Sequence, residues 1–216
     1  DGGFFYLNAY DATGWINFGQ RAWKYTPPLS AKALCTQNLP DTFSGEDKNN
    51  PSKYFDILEY IGNGETTRDI KGLSFQPDLV WQKIYNQAGD HALTDVVRGT
   101  AGGYLQSEDT DAQKGNDNDG VSAFLSDGFT AKGSFNSDSN QWISWCWDAG
   151  TSAATASTEG SVTPSAQWVN NTAGFSISKW TVPSSGTYTV GHGLSAKPDF
   201  ILMKNIDSTT NWDGYH

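Results

Sequence analysis

Residues 74–83, SFQPDLVWQK, are echoed by residues 195–204, SAKPDFILMK. With Pro77 set on Pro198, Gly72-Leu73-Ser74 falls on Gly193-Leu194-Ser195, and Lys83 falls on Lys204. Upstream, YFDILEYIGNG lies opposite GFSISKWTVPSSG across a one-residue gap, so that Phe55 matches Phe175 and Ile57 matches Ile177. Downstream of the shared lysine, IYNQAGDHALTD and NIDSTTNWDGYH have the same length. Similarity in order, spacing and chemistry marks one structural unit used twice, and that constrains the fold more than any other feature. The first copy spans residues 52–150. The second spans 171–216 and is expected to hold only the first part of the module. Between them, residues 151–170 are rich in Ser, Thr and Ala and read as a linker.

The unit is expected to be all β. The chain has nine Trp, nine Tyr and eleven Phe, abundant Gly and a single Met. Aromatic residues with Thr, Ser and Gly suit short strands joined by tight turns. Candidate strands are KYFDILEYIG, LVWQKIY, ALTDVV, GYLQS, SAFLSDGFTAKG and QWISWCWDAG, with SDGF as a tight turn. In QWISWCWD, Trp142, Ser144, Cys146 and Asp148 share one face, and Ile143, Trp145 and Trp147 the other. Both faces carry apolar side chains, which predicts a central strand of a two-layer sandwich. The expected architecture is therefore a series of antiparallel β-sandwich modules. Before the first copy, residues 1–44 show strand-like alternation and then an irregular tail around PPLSAKALCTQNLP, where two adjacent prolines exclude a helix interior.

The formal net charge is −10. Phosphate recognition needs a basic footprint, so nucleic acid is not an expected partner, and anionic membranes are disfavoured for the same reason. There is no run of about 20 apolar residues, so no membrane insertion is expected. Cys35 and Cys146 fit no zinc pattern, and their spacing suggests no disulfide; two buried free thiols are expected.

No motif for catalysis or a cofactor emerges. Glycine-rich phosphate loops and the G-x-S-x-G elbow are absent. The acidic stretch SEDTDAQKGNDNDGVSAF invites a calcium reading. In the register ending its turn at Gly120, however, Gly115 occupies the first ligand position and Ser126 the closing Glu position. A solvated acidic loop, with no metal, is expected. His91 lies between Asp90 and Asp95, and Asp95 could orient its imidazole. The second copy has Trp212 at that position, so a structural role is expected for His91. Sugar-binding sandwiches use aromatic faces beside Asp and Asn on loops. Candidates among the aromatics are Trp15, Trp23, Tyr85, Tyr104, Trp168, Trp180 and Trp212. The contacts put forward are Tyr85, Tyr104 and Trp212 with Asp90 and Asp117.

WINFGQRAWKYTPPLSAKALCTQNLP resembles the closing segment of SPRY-like domains in bacteriophage virion proteins, notably of marine and cyanobacterial phages. Residues 17–20, 25–28 and 32–40 carry the match, with Ala22-Trp23 in place of the usual Pro-Phe. The first copy is similar to the repeated domain that follows such segments. The matching positions are residues 77–81 with Lys83, 91–99, 105–107, 121–129 and 145–150. Two departures stand out: Ile84-Tyr85 replaces the usual Arg after K-N, and Asp148 replaces the usual Lys before Ala-Gly. The resemblance implies tandem lectin-like, jelly-roll sandwiches in a virion structural protein, with no catalytic residue to carry over.

The expected function is that of a tail fibre or similar appendage on the exterior of a phage particle, adhering to host-surface glycan. Its expected partners are other virion proteins and further copies of itself, three if it is a fibre. A capsid decoration protein is the alternative, and a glycan depolymerase the rival from another class. An enzyme would need a carboxylate pair in a groove, and a decoration protein a broad apolar contact.

Overall fold

The computed structural model describes residues 50–115, 119–150, 155–183 and 186–216. The chain divides into two compact units, Asp1–Asn50 and Pro51–His216. The segment 1–44, read from sequence as resembling a SPRY-like domain, lies outside the described residues, as do Cys35 and Asp117.

The second unit is all β. Its strands are β1 (Phe55–Ile61), β2 (Thr67–Lys71), β3 (Leu79–Ile84), β4 (His91–Asp95), β5 (Gly120–Leu125), β6 (Gly128–Lys132), β7 (Gln141–Trp147), β8 (Ala166–Asn170), β9 (Phe175–Lys179), β10 (Ile201–Met203) and β11 (Asp213–Tyr215). Among the described residues, all pairings between these strands are antiparallel. The first copy is a sandwich of two sheets, in the orders β1-β7-β3-β4 and β2-β6-β5. Further along the chain, β8 pairs with β9 and β10 with β11.

Strand β7 is central, as its two apolar faces predict. Trp142, Ser144 and Cys146 are buried, while Ile143, Trp145 and Trp147 are half-buried on the outer face. The core joins Val80, Trp142 and Cys146 of one sheet to Ile70, Val121 and Phe129 of the other. Removing such side chains from water supplies the main driving force for the sandwich. A polar pin crosses this core. The Tyr60 hydroxyl donates to the Phe135 carbonyl (2.7 Å) and accepts from Gln82 Nε2 (2.9 Å). Burial pushes the Tyr60 phenol well above its usual range.

SDGF does form the β5–β6 turn, with Leu125 opposite Gly128. Glycine is needed at 128 because a Cβ there would sit 1.9 Å from the Ile70 carbonyl oxygen on β2. Strand β2 does not stand among the sequence candidates, because only Ile70 of its five residues is buried. GYLQS contributes isolated bridges, Leu93 to Leu105 and Tyr104 to Lys114, in place of a full strand. Ala166–Asn170, within the stretch read as linker, is strand β8. It is held by the buried Gln167, whose side chain donates to Ser178 Oγ and the Gly191 carbonyl and accepts from the Ser157 N–H, each at 2.8 Å.

The repeat is legible in backbone register. In the first copy Val80 pairs with Thr94, Trp81 with Leu93 and Gln82 with Ala92. Shifted by the separation of Pro77 and Pro198, these are the observed pairs Ile201–Tyr215, Leu202–Gly214 and Met203–Asp213. The shared lysine has the same task twice. Lys83 Nζ donates to the carbonyls of Ile84 (2.9 Å) and Gly89 (2.7 Å). Lys204 Nζ donates to the Asn205 carbonyl (2.9 Å) and to Thr210 Oγ1 (3.4 Å), at the same two loop positions. Each lysine thus satisfies its own hairpin loop.

Candidate functional site

A cleft of about 390 Å³ opens where β1 begins and β7 ends, lined by Lys53, Tyr54, Ser74, Phe75, Gln76, Asp148 and Gly150. Three chain segments meet there because Asp148 N–H donates to the Tyr54 carbonyl (2.8 Å) and Asp78 N–H to the Trp147 carbonyl (2.7 Å). Ser74 Oγ donates to the Ser52 carbonyl (2.9 Å), tying the loop before β3 to the short 3-10 turn Pro51–Lys53. The lining sets the rings of Tyr54 and Phe75 among an ammonium, a hydroxyl, an amide and a carboxylate. This mixture suits ligands with both apolar faces and hydroxyl groups.

Behind Gln76 and Asp148 lies the fully buried Asp78. Its Oδ2 accepts from the Ala149 N–H (2.8 Å) and its Oδ1 from Gln76 Nε2 (3.2 Å). Asp148 lies within hydrogen-bonding range of the Asp78 side chain. Burial, opposed by the two N–H donors and reinforced by Asp148, pushes the Asp78 carboxyl up to about 7. Asp148 also accepts from the Gly150 N–H (2.7 Å) and from Asn170 Nδ2 of β8 (3.1 Å).

A second feature is the outer face of the β1-β7-β3-β4 sheet. Trp81, Trp145 and Trp147 are half-buried there, with Phe55 beside them and Ile57 and Ile61 exposed. Ring centroids are 4.9 Å apart for Phe55–Trp147, 6.2 Å for Trp81–Trp145 and 6.5 Å for Trp81–Trp147. Phe175 of β9 stacks on Trp147 at 6.2 Å. Trp81 Nε1 donates to His91 Nδ1 (2.9 Å), which places the proton of a neutral imidazole on Nε2.

Asp95 does not orient His91. Instead it forms a buried ion pair with Arg98, whose Nε lies 2.5 Å from Asp95 Oδ2. Arg98 Nη2 also donates to the Leu93 carbonyl (2.7 Å), so this pair locks the turn after β4. Trp212, the counterpart of His91, donates from Nε1 to the Gln106 carbonyl (2.8 Å) and joins the two copies. Backbone bonds from Gln113 to Ile206 and from Thr210 to Thr110 (both 2.9 Å) complete that junction.

Of the proposed sugar contacts, Tyr85 and Asp90 share the β3–β4 loop, and the charge of Asp90 reaches Tyr104. Tyr85 is exposed just after β3, and Asp90 is exposed just before β4. Tyr104 packs edge-on against Phe135 at 5.3 Å, and burial raises its phenol pKa. The acidic loop is partly neutralised by Lys114, which lies 3.2 Å from Asp111 and 3.9 Å from Asp109. Among the described residues, no three of His, Cys, Asp and Glu converge to hold a metal ion. Cys146 is free and buried, and burial followed by the charge of Asp56 lifts its thiol pKa well above the usual range. The cleft residues Tyr54 and Gln76 were not among the sequence candidates. Of the signals available, the repeated Pro-Asp points to this corner.

A family model described as a domain of unknown function, DUF7483, matches residues 50–216. The chain belongs to the DUF7483 family. The matched DUF7483 region coincides with the second compact unit, so it takes in both copies of the repeat. No curated protein and no solved structure matches the chain.

Proposed function

We propose that this chain is part of a bacteriophage virion surface protein, a tail fibre or similar appendage. In this proposal its sandwich modules bind glycan on the host surface without cleaving it. The observation that carries the reading is the cleft at Tyr54, Gln76 and Asp148. It combines an aromatic ring with hydrogen-bonding side chains, in a volume within the range of small-molecule sites. Sugar hydrolysis uses carboxyls about 5–10 Å apart, flanking the scissile bond. Asp78 and Asp148 are instead in hydrogen-bonding contact, with Asp78 sealed from solvent. A shallow site is sufficient on a particle, because many copies acting together raise avidity far above single-site affinity.

The test displays the chain in multiple copies and measures its retention on immobilised host envelope polysaccharide. Tyr54→Ala and Gln76→Ala are each expected to weaken single-site affinity about tenfold, the equivalent of ~1.4 kcal/mol. Retention unchanged by both variants would remove the cleft from the reading. Reducing ends released over time, and lost in Asp148→Asn, would show an enzyme.

A second reading, a capsid decoration role, has its own support in the apolar outer face around Trp81, Trp145 and Ile57. Such a face suits packing against a shell protein. An averaged image of the intact particle separates the two: density on a protruding appendage favours adhesion, and density seated on the shell favours decoration.

A further inference from the structure

Two opposite charges line the cleft, Lys53 and Asp148, and the protein uses only one of them. Asp148 is 8% exposed and turned inward. Its Oδ1 accepts from the Gly150 N–H, its Oδ2 from Asn170 Nδ2, and it touches Asp78. Lys53 closes the short 3-10 turn Pro51–Lys53 and is half-buried. Lys71 and Lys114 face carboxylates, and Lys83 and Lys204 hold loop carbonyls. Lys53, by contrast, has neither an ion pair nor a side-chain hydrogen bond among the described residues. A half-buried ammonium has given up part of its hydration, and an incoming anion can make good that loss.

Resting on the glycan reading of this cleft, we propose that its ligand is an acidic saccharide, with a carboxylate or sulfate group held by the Lys53 ammonium. The remaining lining suits the rest of such a ligand. The Tyr54 ring, next in sequence to Lys53, offers a flat apolar face to the C–H face of a sugar ring. Gln76 spends its Nε2 on Asp78 (3.2 Å) and keeps its Oε1 to accept from a sugar hydroxyl. Ser74 Oγ donates to the Ser52 carbonyl (2.9 Å) and can still accept.

The overall charge of −10 does not oppose this assignment at close range. At physiological salt the screening length is about 8 Å, so distant surface acids are largely hidden from a group inside the cleft. The charges that such a group meets are the inward-turned Asp148 and the unpaired Lys53. Lysine carries a compact charge on a flexible stem with three rotatable donors, so it can hold either kind of anion without a fixed two-point geometry. A hydrogen bond between charged partners is roughly twice as strong as a neutral one, which makes the acidic group the discriminating part of the ligand.

The experiment titrates the full chain against oligosaccharides of glucuronic and galacturonic acid, the carboxyl-reduced neutral form of each, and a sulfated derivative of each neutral form. Ligand-observed NMR reads the dissociation constants. The expected result is that the chain binds an acidic form about tenfold more tightly than its neutral counterpart. Whether the uronate or the sulfated form is preferred assigns the anion. Lys53→Met should erase that preference and leave neutral binding as it was, and Lys53→Arg should keep it. Lys197→Met, which removes the same charge from an exposed position of the second copy, should also keep it. Equal affinity for acidic and neutral forms, or a preference that survives Lys53→Met, overturns the acidic assignment while leaving the cleft a neutral glycan site. Loss of neutral and acidic binding together in Lys53→Met would show a structural role for the lysine and overturn it too. No binding of any form overturns both the assignment and the glycan reading beneath it.

Discussion

Replacing Asp78 with Asn should remove a pH dependence that the wild-type sandwich carries in its core. The Asp78 carboxyl is pushed from 3.8 up to about 7 in the folded protein, chiefly by burial, with Asp148 adding to the shift. Between those values the folded chain keeps a proton that the unfolded chain has released. Stability from this group is therefore greatest at low pH, falls as pH rises towards 7, and is flat above it. Each unit is worth about 1.36 kcal/mol, so the fall between pH 5 and pH 8 is on the order of 2–3 kcal/mol. In Asp78→Asn the amide oxygen still accepts the Ala149 N–H, and its NH2 donates towards Asp148. The hydrogen-bond changes are common to both pH values, so the comparison of interest is the variant's gain at pH 8 minus its gain at pH 5. Urea unfolding followed by tryptophan fluorescence reads both, since Trp142 is buried in the same core. The variant should lose the 2–3 kcal/mol difference. Asp148→Asn should keep more than half of it, because burial, the larger cause, remains. An equal fall in wild type and Asp78→Asn, or a wild-type stability that this carboxyl makes rise with pH, would refute the reasoning.

The remaining predictions concern the first copy. Arg98→Ala leaves the Asp95 carboxylate buried without its cation, and should cost about 3–5 kcal/mol in urea unfolding, whereas exposed Lys71→Ala near Asp127 should cost under about 1 kcal/mol. The Cys146 thiol, sealed in the core with its pKa raised, should resist thiol reagents in the folded protein and react once urea unfolds it; mass spectrometry of labelled peptides would locate the label.

Period-two alternation is local, so it can be read without knowing any neighbour. That is why β7 was legible as a central strand and SDGF as the β5–β6 turn. The repeat was legible too, because two copies of one unit need the same residues at the same spacing: Pro-Asp before the strand and a lysine to satisfy the loop after it. Strand β2 escaped because it lies beside β6 with Ile70 as its single buried residue, too little to pattern a sequence. The partners of the aromatics read as sugar contacts were not legible. Whether Tyr104 meets a ligand or Phe135, and whether Trp212 is free or bonded to Gln106, depends on which loops fold back on which.

What the sequence determined by itself is the all-β class, the duplication and the facing of the central strand, each set by neighbours a few positions apart. Only the tertiary structure decided the Asp78–Asp148 contact and the cleft built from residues 53–54, 74–76 and 148–150. Those depend on register between strands some seventy residues apart, which no local pattern encodes and which the packing of two sheets selects.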